Sequence, residues 1–235
     1  KDGAADSMLK WWQRGSPADP TLQQAKYMVA ARAGDYSTAE REVQAQQAAQ
    51  AASPFWKEIA VQDAGLIAAT QGKLALAEQR LRAAASAGDA RGLPGEYLTQ
   101  IAGLASIEIR HRSNPAPALA MLDSALVSHP LAAIDPIDRP YPMLASAYAL
   151  GGRPDDAQRM LSEMDRAVPE GARKGNAFRL QALGDVAAAR GNYQEAIANE
   201  RAMHAIFGCL NCGYFEIADA FAKLGQPDSA RYYYE

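Results

Sequence analysis

Cysteine is scarce: two residues in 235, which excludes a scaffold pinned by several disulfides. Histidine is scarcer than most site chemistry requires. His111, His129 and His204 stand in three separate stretches with no carboxylate or thiol partner evident at one place. Each reads as a surface or helix-end residue rather than a general base. No run approaches the roughly 18 uninterrupted apolar residues of a spanning helix, so direct membrane insertion is not expected. Positive charge is not in excess either. Lys and Arg total 24 against 27 Asp and Glu, a net charge of −3, whereas a nucleic-acid binder normally carries a basic face. The short basic runs Arg110–Arg112 and Arg173–Lys174 read as solvated surface. Nucleophile elbows, phosphate loops, zinc-protease and dinucleotide fingerprints are all missing. The expectation is therefore no enzyme, with no catalytic residue, no cofactor and no resident metal.

What is present is an ordinary apolar fraction, 49% of residues, arranged in a repeat. "GDYSTA" (34–39), "GKLALA" (72–77), "SNPAPA" (113–118), "GRPDDA" (152–157), "GNYQEA" (191–196) and "GQPDSA" (225–230) share a turn followed by a terminal alanine. Those alanines, Ala39, Ala77, Ala118, Ala157, Ala196 and Ala230, are spaced by 38, 41, 39, 39 and 34 residues. A period of this length marks stacked supersecondary units. Before each turn runs a helical stretch with small residues on one face, such as Leu183, Gly184 and Ala187. After it runs a second with apolar residues at i, i+4 and i+7, such as Ala118, Leu122 and Ala125. The turn glycine suits the left-handed residue that closes a helix. Pro154 and Pro227, each followed by aspartate, suit the first turn of the next helix. Small residues such as Gly184 and Ala196 are expected where two helices cross closely.

This combination (Leu-Gly/Ala, a small or aromatic residue, Gly-Asn/Asp-Tyr, Ala, and a late proline at Pro130 and Pro169) resembles the tetratricopeptide repeat. The resemblance covers about residues 21–235. It weakens in the first and third units, where Tyr27 and Ser106 replace the small residue. It implies an all-α fold, a right-handed α-α superhelix of about six helical hairpins. Residues 1–20 form an N-terminal capping helix and linker, and the units span about 21–53, 54–90, 95–130, 136–170, 174–208 and 212–235. The Pro-rich "HPLAAIDPIDRPYPM" and "RGLPGEY" supply the extra length between units.

The resemblance also implies that a protein or peptide partner lies in the groove lined by the first helix of each unit. The groove-facing candidates are Gln62, Leu66, Ile107, Arg110, His111, Gln181, Asp185, Phe215 and Asp219. Chaperone-binding members hold a terminal carboxylate with Lys, Arg and Asn; Gln, apolar residues and Asp stand here instead, so that clamp is not expected. "HAIFGCLNCGYF" carries Cys209 and Cys212, with His204 upstream. Three readings stand for the pair: reduced, partly buried thiols, a local disulfide pinning the junction, or half of a metal site. Trp11 and Trp12 are expected to cover one end, and Tyr232, Tyr233 and Tyr234 to form a contact at the other.

The expected function is a non-catalytic protein-interaction scaffold. It is similar to the C-terminal repeat arrays of bacterial signal transducers, in which a kinase or winged-helix regulator precedes the repeats. The alternative is a structural subunit that self-associates through its ends. The chain starts at Lys1 without Met, so it reads as a processed product or part of something longer. That start, the preference for Arg over Lys and the paired cysteines lean toward an extracytoplasmic location, with a cytoplasmic one the alternative. The repeat register predicts that Ala157→Leu and Ala196→Leu each lose about 1–3 kcal/mol by overpacking. Thermal melts of both variants check it, and unchanged transitions would contradict the register.

Overall fold

The recurring turn is the local feature that makes a hairpin. Gly34, Gly72, Gly152, Gly191 and Gly225 all lie in left-handed backbone, with φ of 77°, 72°, 82°, 80° and 71°. At each, the N–H of the following residue reaches back five positions: Asp35 to the Ala30 carbonyl at 3.0 Å, Asn192 to Ala187 at 2.8 Å, Gln226 to Phe221 at 3.0 Å. These bonds satisfy carbonyls that the ending helix leaves orphaned. The repeat alanine then donates to the residue after the glycine, as Ala196 does to Asn192 at 3.0 Å, and the second helix has begun. The third turn is also left-handed but lacks glycine and is one residue wider: Ser113 takes φ 52°, and the Asn114 N–H reaches back six positions to the Glu108 carbonyl at 3.1 Å.

The structure, a computed structural model, describes residues 2–49, 53–207 and 213–235. Among them every regular element is helical, the all-α hairpin repeat that the sequence pattern implies. The chain divides into two compact units, Lys1–Leu93 and Pro94–Glu235. In the first, α1 (Asp2–Gly15) precedes the hairpins α2–α3 (Pro20–Arg32, Tyr36–Ala49) and α4–α5 (Pro54–Thr70, Leu74–Ala90). Asp19 caps α2 by accepting from the Thr21 N–H at 2.9 Å. In the second unit, α6–α7 (Pro94–Arg112, Pro115–Ser128) leads through a single 3-10 turn to α8–α9 (Tyr141–Leu150, Pro154–Ala167). The short α10 (Glu170–Arg173) follows, then α11–α12 (Ala177–Ala189, Tyr193–Phe207) and α13–α14 (Tyr214–Lys223, Pro227–Tyr234). Pro115, Pro154 and Pro227 each open a second helix. No helix among the described residues is long and apolar enough to cross a membrane.

All six repeat alanines are buried. Four residues on, the same inward face carries Val43, Leu81, Leu122 and Leu161, each at most 2% exposed. Each hairpin thus closes on a small residue and is sealed by an aliphatic one. In the second unit α8 packs on α6 and α11, and α12 packs on α13, so that the first helices α6, α8, α11 and α13 run along one face. Trp11, expected to cover an end, is exposed. Trp12 is half-buried, and its indole N–H donates to Asp19 Oδ2 at 3.1 Å.

The turn geometry predicts opposite outcomes at two positions. Ser113→Gly relieves a left-handed non-glycine residue and gains about 1 kcal/mol. Gly151→Ala brings a Cβ within 2.7 Å of the Leu119 side chain and loses about 1–3 kcal/mol. Chemical denaturation reads both; the same sign for the two would contradict this account.

Candidate functional site

In the first four hairpins position four after the repeat alanine is a buried aliphatic residue, and in the sixth it is the exposed Tyr234. In α12 that position is Glu200, 1% exposed, where earlier hairpins carry Val43, Leu81, Leu122 and Leu161. A carboxyl in an aliphatic layer is costly unless it is partnered. Neither of its oxygens has a hydrogen-bond partner among the described residues. Two glycines make the room. A Cβ on Gly184 would stand 2.6 Å from Glu200 Oε1, and one on Gly213 2.6 Å from Oε2. The small residue at position 184 therefore admits a carboxyl group, which refines the expectation of a bare helix crossing there.

The neighbours of Glu200 come from all the first helices of the unit. Ile109 and Arg110 at the end of α6, Leu150 of α8, Gly184, Asp185 and Ala188 of α11, and Phe215, Glu216 and Asp219 of α13 line a cleft of about 270 Å³, with Tyr193, Ala196 and Glu200 of α12. Arg110 crosses it. Its guanidinium donates to Glu216 Oε1 at 2.7 Å and stands 3.7 Å from Asp185 Oδ1. Ser146 of α8 donates its hydroxyl to Asp185. Ser146 and Asp185 hold the same place, six residues before the turn glycines Gly152 and Gly191. The periodicity of the chain thus becomes a row of side chains across stacked helices. Oδ2 of Asp185 has no partner.

One arginine faces four carboxyl groups here, and the local electrostatics follow. Burial pushes Asp185 up to about 6, opposed by the Arg110 charge and the Ser146 hydrogen bond, with Glu216 adding to the rise. Glu200 is pushed up to about 9, first by burial, then by the charges of Asp185 and Glu216, with Arg110 offsetting only part. At neutral pH Glu200 is a neutral acid. The first unit has a smaller counterpart. Tyr27 donates its hydroxyl to Asp63 Oδ1 at 2.8 Å, and burial raises Asp63 to about 6. Gln46, also fully buried, sits seven residues after Ala39, where Ala84, Ala125, Met164 and Met203 follow the later alanines.

Of the residues proposed from sequence, the structure brings Arg110, Asp185, Phe215 and Asp219 into this cleft. Ile107, in contrast, is buried core, while His111 is exposed and Gln181 half-buried. Gln62 is half-buried and Leu66 exposed on α4 of the first unit. Cys209 and Cys212 lie outside the described residues. At the C-terminal end Tyr232 and Tyr234 are exposed. Tyr233 is half-buried, stacked on Phe221 at 5.6 Å, with its hydroxyl accepting from Arg201 at 2.9 Å. Tyr234 sets its ring edge-on to Phe215 at 5.9 Å. Sequence reasoning missed Glu200, Glu216 and Ser146. Glu200 was detectable as the one acid at a position where earlier units carry Val or Leu.

No protein-family model matches the chain. No curated protein matches it either. Among solved structures it is similar to a tetratricopeptide repeat protein from Parabacteroides merdae ATCC 43184, with 17% identity over 91% of this chain and 77% of that one, at a TM-score of 0.41.

The sign of the Glu200 effect is set by linkage. Between its unfolded value near 4.3 and about 9, unfolding releases a proton that the folded state holds, so stability falls as pH rises through that window. Asp185 adds the same sign between about 4 and its folded value of about 6. Glu200→Leu, the residue of three earlier hairpins, is expected to raise the melting temperature. Its advantage over the parent should widen steadily from pH 5 to pH 9. Melting curves across that range check it, and a pH-independent difference would contradict the assignment.

Proposed function

We propose that the chain is a non-catalytic docking module whose second unit holds a protein or peptide partner against its first helices. The observation that carries this reading is the convergence of α6, α8, α11, α12 and α13 on one cleft with an exposed aromatic at its rim. Phe215 is 62% exposed and lines the cleft, and its ring meets the exposed Tyr234. A contiguous exposed aromatic patch beside charged groups is the usual composition of a recognition surface. The likeness of the sequence to repeat arrays of bacterial signal transducers extends the proposal: the module is the sensing or docking part of a larger signalling protein.

A second reading draws on the same end of the unit. Tyr232 is 73% exposed on the last turn of α14, and a hairpin repeat with an apolar end continues readily through a neighbouring copy. Under it the aromatic end is a contact between copies of this chain.

Selection of peptides from a random display library on the purified chain separates the two. The docking proposal expects selected peptides whose affinity falls about tenfold or more in Phe215→Ala, as for an aromatic interface anchor. Val127→Ser, at an exposed position on α7, leaves it unchanged. Failure to select any peptide, together with concentration-dependent dimerisation abolished by Tyr232→Ser, would overturn docking in favour of self-assembly.

A further inference from the structure

We propose that the cleft around Glu200 receives a primary alkylammonium group, either a lysine side chain or a free alkylamine. The lysine form rests on the docking reading above; the cation site itself does not.

Charge, shape and unmet hydrogen bonding point the same way. Asp185, Glu200, Glu216 and Asp219 line the cleft against one cation, Arg110, which is already engaged with Glu216 and close to Asp185. Two of these acids are more than nine-tenths buried. Between them, three oxygens lack a donor among the described residues: Asp185 Oδ2 and both oxygens of Glu200. An ammonium head carries three donors and no acceptor; as it binds, Glu200 releases its proton to solvent, and the carboxylate oxygens then accept what the ammonium donates. A neutral polar ligand with acceptors of its own would not match them. The walls are apolar, formed by Ile109, Leu150 and the Phe215 ring, which suits a methylene stem and places a ring face near the cation. At about 270 Å³ the space lies just under the roughly 300–1,000 Å³ of small-molecule sites. That size fits one side chain better than a large ligand. Exposed Asp219 and part-exposed Glu216 meet the incoming charge first. A rotation of Glu200 toward the cleft then completes the shell.

The repeat supplies the contrast. At the same place in the second hairpin, Leu81 fills the space beside Gly65, with no carboxyl group and no orphaned oxygen. A purely structural role for position 200 is met by leucine; a role in holding a cation is not.

The test titrates the ¹⁵N-labelled full chain with n-butylammonium chloride, with sodium chloride at equal ionic strength and butan-1-ol as controls. Saturable shifts of the Gly184 and Gly213 amides are expected with butylammonium alone. Glu200→Leu and Glu216→Gln should each weaken that binding about tenfold or more, the loss expected for a hydrogen bond to a charged group. Shifts no larger than those from sodium, or equal binding by Glu200→Leu, would overturn the proposal. A second arm uses a lysine-containing peptide and its ε-acetylated form. Binding of butylammonium without binding of the lysine peptide keeps the cation site and removes its lysine form. Equal binding of the acetylated and free peptides, without butylammonium binding, removes the cation site and leaves docking in place.

Discussion

Close approach of paired helices is the constraint on which everything else rests. A left-handed turn ends one helix, and an alanine five residues later lets the next helix lie against it. Because the crossing residue is small, the position one turn further in the second helix faces the first helix at short range. That position is therefore tightly specified in the hairpins that bury it. Aliphatic side chains fill it through the first four hairpins, as dense interior packing requires.

Once that rule is visible, the exception acquires meaning. Glu200 does not lie at the surface with a buried stem; its carboxyl group lies between two glycines, at places where a Cβ would collide with it. Removing a methyl group at both sites and placing an acid between them costs stability twice, through lost packing and through desolvation. Natural proteins tolerate such local inconsistencies mainly where function resides. Ser146 and Asp185 meet at the same layer because the repeat brings equivalent positions of successive first helices into one row, and Arg110, three residues before its own turn, reaches that layer with its guanidinium.

The architecture was legible because its signals are local and repeated. The turn at residues 191–196 can be checked against those at 34–39 and 152–157, and each copy corroborates the others. Even Ser113, which departs from glycine, takes the left-handed backbone its place in the pattern demands. The site was legible only in part. Arg110, Asp185, Phe215 and Asp219 follow from counting along first helices, since those faces look into the cleft. Ile107 shares the count with Asp185, but it is buried among core side chains instead of lining the cleft. Glu200 escaped because it stands on a second helix, where a charged residue reads as solvent-facing unless it is compared with Leu81, Leu122 and Leu161. Trp11 misled for a different reason: an aromatic at a chain end reads as cover, whereas only its neighbour Trp12 finds a polar partner, in Asp19.

The central claim is that Glu200 is a buried acid without a partner in the free protein. Carboxyl ¹³C NMR of the full chain, with the Glu200 resonance assigned by its loss in Glu200→Gln, measures this directly as a function of pH. The account predicts that Glu200 titrates near 9. A midpoint near the ordinary value of about 4.3 would show a solvated or well-partnered carboxylate, and would contradict both the packing and the site built on it.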